Sequence, residues 1–550
     1  MHTRIRTILT LLMAALLALS ALTACGAAGS PAPSEPATNA PTASSAASAP
    51  ATTTPASTTT AQALELKDED LDASWDATTA TTITLSGTSA TVEGAGAAAA
   101  GGIVTITTAG TYVLSGTLSD GSIEVAATQN DLVHLVLNGA SITNTKGAAI
   151  YASQCDKLVL TLADGTHNSV TDGGAAFTYA DAVEEEPNAA LFVKDDLSIN
   201  GTGALNVQAT WNNGIQTKDD LLLVSGTLTV DAVHHALVGH DSVGAVGGTY
   251  ELVAGAQGVR ANKEADAAAG WIIIEGGSFN VTATDDALHA TNDIKLLGGD
   301  LQLATGDDGI HSDTNLIISD GSVTVSESYE GLEAANIDIQ GGSLDVISSD
   351  DGLNAAGGAD ASGTGGGFGG DPFAASGNYS ITIGGGSIQL RSGGDGIDSN
   401  GPITISGGTI YSYIDSQANG AIDTDGSFAV TGGTLVYGGS DVGVVPTTGS
   451  TQSYVYVSGS FAKGSIVRVE KAGQLLIEAT VTLDCPLLAL SSPDIAAGGS
   501  YEVYSGDSLL ATVTAGEGGG MGGMGGPGGG MGGGGHGGPG TGIPAGALPQ

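Results

Sequence analysis

The stretches GSFNV at Gly277–Val281 and GDLQL at Gly299–Leu303 repeat one pattern, in which a glycine and a polar residue precede alternating apolar and polar residues. Further copies begin at Gly321, Gly342, Gly386 and Gly408, and subtracting the glycine numbers gives steps of 22, 22, 21, 44 and 22 residues. Such alternation is typical of a strand. A unit of this length is shorter than a βαβ crossover, which needs about 30 residues. The repeat therefore predicts an all-β solenoid, the stacked coils of a parallel β-helix.

Nine residues after each of these glycines except Gly408 stands an acidic residue, followed by a small and an aliphatic residue. These acidic residues are Asp286, Asp308, Glu330, Asp351 and Asp395. Residues at equal phase in successive coils lie about 4.8 Å apart, so the carboxylates should form a ladder. Two unit charges at that distance repel by about 1 kcal/mol in water and by about 3.5 kcal/mol at an effective dielectric constant near 20. The ladder therefore needs a compensating charge.

A second acidic column, interrupted by Tyr329 and Gly394, directly precedes the ladder. Carboxylates at a turn, together with backbone carbonyls, can supply the six to eight oxygen ligands that calcium takes. We expect Ca²⁺ as the cofactor, in two clusters. The first cluster is Asp285, Asp286, Asp307 and Asp308, and the second is Asp350, Asp351, Asp395 and Asp398. The alternative is that these residues form solvated Asp-Gly turns without metal.

A third column follows in phase, and strand alternation should turn its side chains outward. Besides Asp398, its members are His289, His311, Glu333, Asn354 and Asp423, which we take as candidate ligand-binding residues. His289 above His311, beside carboxylates, could hold a transition metal. Paired surface histidines, however, more often bind only water.

The N-terminus predicts export and lipid anchoring. A basic start and the apolar run from Ile8 to Leu22 form a signal peptide over residues 1–25, and LTAC at Leu22–Cys25 resembles a bacterial lipobox. Cys25 would carry the lipid, and the chain would be anchored to the outer face of the cell membrane, at the cell surface. An ordinary signal peptide with a chance cysteine is the alternative. Residues 26–62 are almost all Ala, Ser, Thr and Pro and are expected to be a disordered linker.

Charge and composition limit the partners. The 14 Lys and Arg residues face 58 Asp and Glu residues, a formal net charge of −44, which argues against nucleic acid and favours cations. Cys155 and Cys485 are expected to be buried thiols. We expect a monomer with a β-helix over residues 63–440, of which 63–173 form the N-terminal cap and first coils. A small β module should follow at 441–514, and a glycine-rich, disordered tail at 515–550.

Four motifs in order resemble a bacterial family of surface-displayed, carbohydrate-binding, right-handed β-helix proteins. They are the runs 109–121, 135–143, 162–168 and 194–203, and the resemblance covers about residues 64–439. That family is similar in fold to pectate lyases, and its described member binds cellulose and acidic plant polysaccharide and carries calcium. The resemblance implies a right-handed β-helix that binds polysaccharide.

Two departures from the family pattern favour binding without catalysis. The family pattern implies a lysine where His240 stands, and an acidic residue and then a lysine around Gln257–Arg260. Arg260 could serve as the base of a lyase, but Gln257 replaces the ladder acid of its coil, so we expect calcium and base to lie apart. Trp75, Trp211 and Trp271 are at unrelated phases, which does not support a flat cellulose platform.

The functional prediction is a non-catalytic, calcium-containing surface lipoprotein. Its ligand would be an acidic plant-type polysaccharide such as pectin or polygalacturonate, or cellulose. One alternative is a calcium-dependent lyase that acts by β-elimination, and another is an adhesin or surface spacer stiffened by calcium.

Overall fold

The computed structural model describes residues 64–263, 266, 268–356 and 378–517. The predicted signal peptide (1–25), the lipidation site Cys25, the linker (26–62) and most of the predicted tail (515–550) lie outside these residues. The described part is almost entirely β, with one α-helix, α1 (Asp68–Leu71), and one 3₁₀ turn (Gly174–Ala176). In that part, neither length nor hydropathy would let a helix cross a membrane.

The strands are numbered in chain order. Those before the regular coils are β1 (Thr81–Gly87), β2 (Ser89–Glu93), β3 (Ala97–Ala100), β4 (Ile103–Ile106), β5 (Gly110–Leu118), β6 (Ser122–Ala126), β7 (Leu132–Thr143), β8 (Ile150–Gln154), β9 (Lys157–Leu162) and β10 (His167–Thr171). The coil strands are β11 (Ala189–Val193), β12 (Asp196–Gly201), β13 (Ala204–Ala209), β14 (Asn213–Thr217), β15 (Asp220–Leu223), β16 (Thr227–Ala232), β17 (Leu237–Gly239), β18 (Ser242–Ala245), β19 (Thr249–Ala254), β20 (Val259–Ala261), β21 (Trp271–Ile274), β22 (Ser278–Ala283), β23 (Leu288–Ala290), β24 (Ile294–Leu296), β25 (Asp300–Ala304), β26 (Ile310–Ile318), β27 (Ser322–Glu327), β28 (Leu332–Ile339), β29 (Ser343–Ser348), β30 (Leu353–Ala355), β31 (Ser380–Ile383), β32 (Ser387–Ser392), β33 (Ile397–Ser399), β34 (Ile403–Ile405), β35 (Thr409–Ile414), β36 (Phe428–Val430) and β37 (Thr434–Gly439). The last strands are β38 (Tyr454–Phe461), β39 (Ile466–Lys471), β40 (Gln474–Thr480), β41 (Cys485–Ser491), β42 (Ser500–Ser505) and β43 (Ser508–Thr514).

Three parallel ladders run through the coils, because each strand pairs with the equivalent strand of the next coil. The first ladder is β10, β13, β16, β19, β22, β25, β27, β29, β32, β35 and β37. The second is β8, β11, β14, β17, β20, β23, β26, β28, β30 and β33. The third is β9, β12, β15, β18, β21, β24, β26, β28, β31, β34 and β36. This large, mostly parallel sheet agrees with a β-solenoid.

The register joins residues that are about 22 positions apart. Ser278, Asp300, Ser322, Ser343 and Ser387 are successive Cα partners in the first ladder. The apolar residue that follows each of them points inward and is at most 2% exposed: Phe279, Leu301, Val323, Leu344 and Ile388. Complete burial of such a side chain contributes about 1.5–3 kcal/mol. The interior of the solenoid is thus a continuous apolar core, which turns the polar side chains of the coils outward.

The motif glycines allow the coils to turn while they are in close contact. Gly321 has φ +100, and a Cβ there would lie 2.9 Å from the backbone of Gly298. Gly464 also has positive φ but no atom within 4 Å of such a Cβ. A left-handed backbone conformation costs a residue with a Cβ about 1–2 kcal/mol.

We expect Gly464→Ala to lower the free energy of unfolding by about 1–2 kcal/mol. Gly321→Ala should cost at least about 1 kcal/mol more, because the backbone of the neighbouring coil must also move. Denaturant unfolding of both variants measures the difference. Equal losses would show that the close approach of the coils adds no cost.

Antiparallel strands flank the coils. Before them, β1 pairs with β2 and β3 with β4. After them, β41 pairs with both β37 and β38, and β40, β39, β42 and β43 form a separate four-stranded sheet. Antiparallel strands therefore adjoin the parallel coils at both the N-terminal and the C-terminal end.

The segment that contains α1 packs against the third ladder. Asp70 is fully buried, and its Oδ1 accepts hydrogen bonds from Lys157 Nζ at 2.6 Å and Ser198 Oγ at 2.5 Å. Asn200 Nδ2 donates to the Asp70 carbonyl at 2.9 Å. One buried carboxylate thus attaches the segment to two adjacent coils.

Candidate functional site

The predicted carboxylate ladder lies at the turn between the first and second parallel ladders. The backbone N–H of Asp308 donates to Asp286 Oδ1 at 3.1 Å, and that of Glu330 donates to Asp308 Oδ1 at 3.3 Å. Further along, the N–H of Asp395 donates to Asp351 Oδ1 at 2.6 Å. Each of these carboxylates therefore bonds to the backbone of the following coil, which holds the acidic side chains in a stack.

Burial makes this stack electrostatically costly. Asp286 and Asp308 are 2% and 0% exposed. Desolvation, together with the neighbouring carboxylates, raises the pKa of Asp308 well above its ordinary range and raises the pKa of Glu330 to about 10. The same causes raise the pKa of Asp351 to about 8 and that of Asp398 to about 7. A bound cation would oppose all of these shifts, because it stabilises the ionised carboxylates.

The first predicted calcium cluster is brought together in part. Ligand oxygens of Asp285, Asp286 and Asp307 all lie within 4.8 Å of one another. Asp308 groups instead with His311 and Glu333, on the side of the turn that faces the second ladder.

The second predicted cluster is also brought together in part. Asp351, Asp395 and Asp398 have ligand oxygens within 4.8 Å of one another, and Asp350 is not a member of that group. Burial, together with the charge of Asp423, raises the pKa of Asp395 to about 6, although the hydrogen bond from the Gly420 N–H opposes this shift. Asp423 itself is exposed and accepts a hydrogen bond from the Thr424 N–H at 2.9 Å.

The third column runs along the outer face of the second ladder. Its successive Cα partners are Arg260, His289, His311, Glu333, Asn354 and Asp398. Alternation predicts that these side chains point away from the core, but they are not generally exposed: His311 is 1% exposed and Glu333 7%. The neighbouring acidic side chains cover them, because His311 Nδ1 lies 2.9 Å from both Asp308 Oδ2 and Glu333 Oε2.

Arg260 lies on the coil before the one that carries Asp285 and Asp286. Its Nη1 donates to His235 Nε2 at 2.8 Å, and burial lowers the pKa of His235 to about 2, which keeps that imidazole neutral. Arg260 pairs with His289, whose Nδ1 is 2.7 Å from Asp286 Oδ2. Arg260 and the first acidic group therefore lie on adjacent coils, and the expectation that base and cation lie apart stays a prediction. Gln257, on the same coil as Arg260, donates a hydrogen bond from its side-chain amide to Asp286 Oδ2 at 3.3 Å.

The structure also forms an aromatic cluster that phase alone does not reveal. Phe177 and Tyr179, in the connection between β10 and β11, meet Trp211, which stacks on Phe177 with ring centroids 6.0 Å apart and an interplanar angle of 9°. Trp211 remains 38% exposed. Its backbone is fixed by the buried Asp172, whose Oδ2 accepts from the Trp211 N–H at 3.0 Å. The cluster offers a fixed, partly exposed aromatic surface near the first regular coils.

Three comparisons with known proteins each found a match. A relative from Acetivibrio thermocellus, described as a carbohydrate-binding domain-containing protein, is 43% identical over 129 residues, which are 24% of this chain and 45% of the relative. The match thus spans less than half of that relative's length. The solved structure of the polysaccharide lyase-like protein from C. thermocellum, as a gadolinium derivative, is 33% identical and matches 43% of this chain and 96% of its own, with a TM-score of 0.42. Residues 100–352, which contain the aromatic cluster and the acidic columns up to Asp351, match the family of carbohydrate-binding domain-containing proteins.

Proposed function

We propose that the protein is a non-catalytic, calcium-containing, polysaccharide-binding protein of the cell surface. The observation that carries the calcium part is the group formed by Asp351, Asp395 and Asp398, whose oxygens lie within 4.8 Å of one another while burial raises all three pKa values. The polysaccharide part is supported by the family match over residues 100–352. Attachment through a lipid on Cys25 to the outer face of the membrane, and a monomeric state, belong to the same proposal and rest on the sequence.

Calcium explains how so acidic a protein would hold an acidic polymer. Ca²⁺ takes six to eight oxygen ligands, and the carboxylates of one cluster supply only part of that number. A uronate carboxylate can complete the coordination, so that the ion bridges two anions. This favours polygalacturonate over neutral cellulose as the ligand. We also propose that the coils wind in the right-handed sense, because connections between parallel strands of one sheet are almost always right-handed.

Retention on insoluble pectate tests this proposal. We expect retention in Ca²⁺ and loss of it in a chelator. Asp398→Asn should weaken calcium affinity by about tenfold or more, because it removes both charge and ligand strength from a half-buried site. Asp507, whose side chain is fully exposed in the last hairpin, supplies the control variant Asp507→Asn.

The outcome of the retention assay distinguishes calcium-dependent polysaccharide binding from a spacer or adhesin. Retention that is the same with and without the chelator contradicts the calcium bridge. Calcium binding without retention on pectate or cellulose supports a stiffened spacer or adhesin instead.

A lyase is the second candidate, favoured by the position of Arg260 one coil from the first acidic cluster. Elimination needs a base for the α-proton and a cation on the uronate carboxylate, and Arg260, on the coil next to Asp285 and Asp286, with a cation at that group, would supply this pair. The assay is the growth of ultraviolet absorbance of the unsaturated product from polygalacturonate with Ca²⁺. If the lyase reading is right, Arg260→Ala abolishes the activity and the control Arg468→Ala, in the last sheet, retains it. A wild-type protein that forms no product contradicts the lyase.

A further inference from the structure

We propose that His311, Asp308 and Glu333 form a binding site for a divalent transition-metal ion, distinct from the calcium clusters. His311 Nδ1 lies 2.9 Å from Asp308 Oδ2 and 2.9 Å from Glu333 Oε2. Atoms at this separation can share an ion that lies about 2.0–2.2 Å from each of them. Asp308 and His311 come from one coil and Glu333 from the next, so the stacking register itself assembles the three ligands.

The imidazole is oriented as in known metal sites. A metal-bound histidine usually donates its other ring N–H to a carboxylate, which fixes the ring. Here His311 Nε2 lies 3.3 Å from Asp313 Oδ1, while Nδ1 faces the two carboxylates. His289 stacks on His311 with ring centroids 4.8 Å apart and an interplanar angle of 2°, and its Nδ1 is 2.7 Å from Asp286 Oδ2. A second imidazole with a carboxylate therefore adjoins the first.

A buried amide gives an independent indication of a cation. Asn354, the Cα partner of Glu333, is 6% exposed, and its Nδ2 donates to Glu330 Oε2 at 2.8 Å. Its Oδ1 is buried without a hydrogen-bond donor within the described part of the chain. Gln257, beside Asp286 in the neighbouring acidic group, shows the same pattern: its Nε2 donates to Asp286 Oδ2, and its buried carbonyl oxygen Oε1 likewise lacks a donor there. Two carbonyl oxygens without donors beside an acidic column are what a cation-binding region provides.

The imidazole ligand of His311 favours a transition-metal ion over calcium at this site. Calcium takes oxygen ligands, whereas imidazole nitrogen suits zinc, cobalt, nickel and other first-row divalent ions. The competing state is a protonated His311 held between the carboxylates. Metal binding requires that Nδ1 loses its proton to solvent, so the two states exclude each other.

Cobalt provides a direct test, because the position and intensity of its visible d–d bands change when protein ligands replace water. The mature protein is stripped with a chelator, saturated with Ca²⁺ to fill the oxygen sites, and titrated with Co²⁺. We expect one equivalent of Co²⁺ to bind, with d–d bands that are shifted and stronger than those of aqueous Co²⁺, and to be displaced by Zn²⁺. His311→Gln should abolish the bands, and Asp313→Asn should weaken the affinity by about 10–100-fold, as loss of an orienting carboxylate does elsewhere. His167, an exposed histidine before the coils, supplies the control His167→Gln, which should bind as the wild type does.

The proposal does not depend on the calcium sites, since pectate retention and cobalt bands are separate measurements. It is overturned if the Ca²⁺-saturated wild type shows no cobalt bands, or if the bands persist unchanged in His311→Gln. Should His311→Gln fail to fold, Asp313→Asn decides: an affinity equal to that of the wild type overturns the site, and the expected weakening supports it.

Discussion

Removal of divalent cations is expected to destabilise the protein strongly near pH 9 and only weakly near pH 5. Three carboxyls of the second cluster have raised pKa values in the cation-free fold: about 6 for Asp395, about 7 for Asp398 and about 8 for Asp351. A carboxyl whose pKa is higher in the folded than in the unfolded state binds its proton more tightly when folded. These three carboxyls therefore make their full contribution to the stability of the cation-free fold below about pH 4, and that contribution is lost progressively as pH rises through these values.

The size of the effect follows from the same shifts. One pKa unit corresponds to about 1.4 kcal/mol, so Asp398 alone, raised from 3.8 to about 7, accounts for a loss of about 4 kcal/mol. Because the three groups interact, their losses do not simply add. Bound Ca²⁺ favours the ionised forms and should offset the loss.

Thermal unfolding at the two pH values, with Ca²⁺ and with chelator, measures this difference. Asp398→Asn should make the chelated protein less sensitive to pH, because one ionising group is gone, and Asp507→Asn should leave the sensitivity unchanged. A chelated protein that is equally stable at both pH values would contradict the calcium proposal for this cluster.

Lys157→Met is expected to cost about 3–5 kcal/mol, because it leaves the carboxylate of Asp70 buried without its cation. Lys157 and Asp70 have 9% and 0% of their side-chain surface exposed, and their charged atoms are 2.6 Å apart. The double variant Asp70→Leu/Lys157→Met should recover most of the loss, since replacing a buried ion pair by apolar side chains is often neutral or stabilising.

Lys157→Met can lower the stability of the whole fold or only release the segment that contains α1, and two measurements distinguish these responses. Denaturant unfolding detects a loss of global stability. Amide hydrogen exchange of residues 64–72 detects local undocking of the segment that contains α1. A loss below about 1 kcal/mol with unchanged exchange would show that the buried pair does not hold the segment.

Sequence periodicity was sufficient to predict which residues become lateral neighbours. A strand pattern that recurs every 22 residues must stack in parallel to bury its apolar side, so the pairing of Ser278 with Asp300 and the succession of Asp286 and Asp308 could be predicted by counting. The same counting placed His289 beside His311, which are Cα partners. In each case the backbone register alone determines the neighbour.

Only the tertiary structure decided how the side chains group across those neighbours. Counting placed Asp308 with Asp285 and Asp307, but its carboxylate turns to His311 and Glu333, because side-chain direction at a turn depends on local backbone angles and packing. Counting also could not reveal that Phe177 stacks on Trp211, since a connection of irregular length has no phase in the repeat. The repeat therefore determines the columns along the solenoid, and the folded turns and connections determine which atoms within them meet.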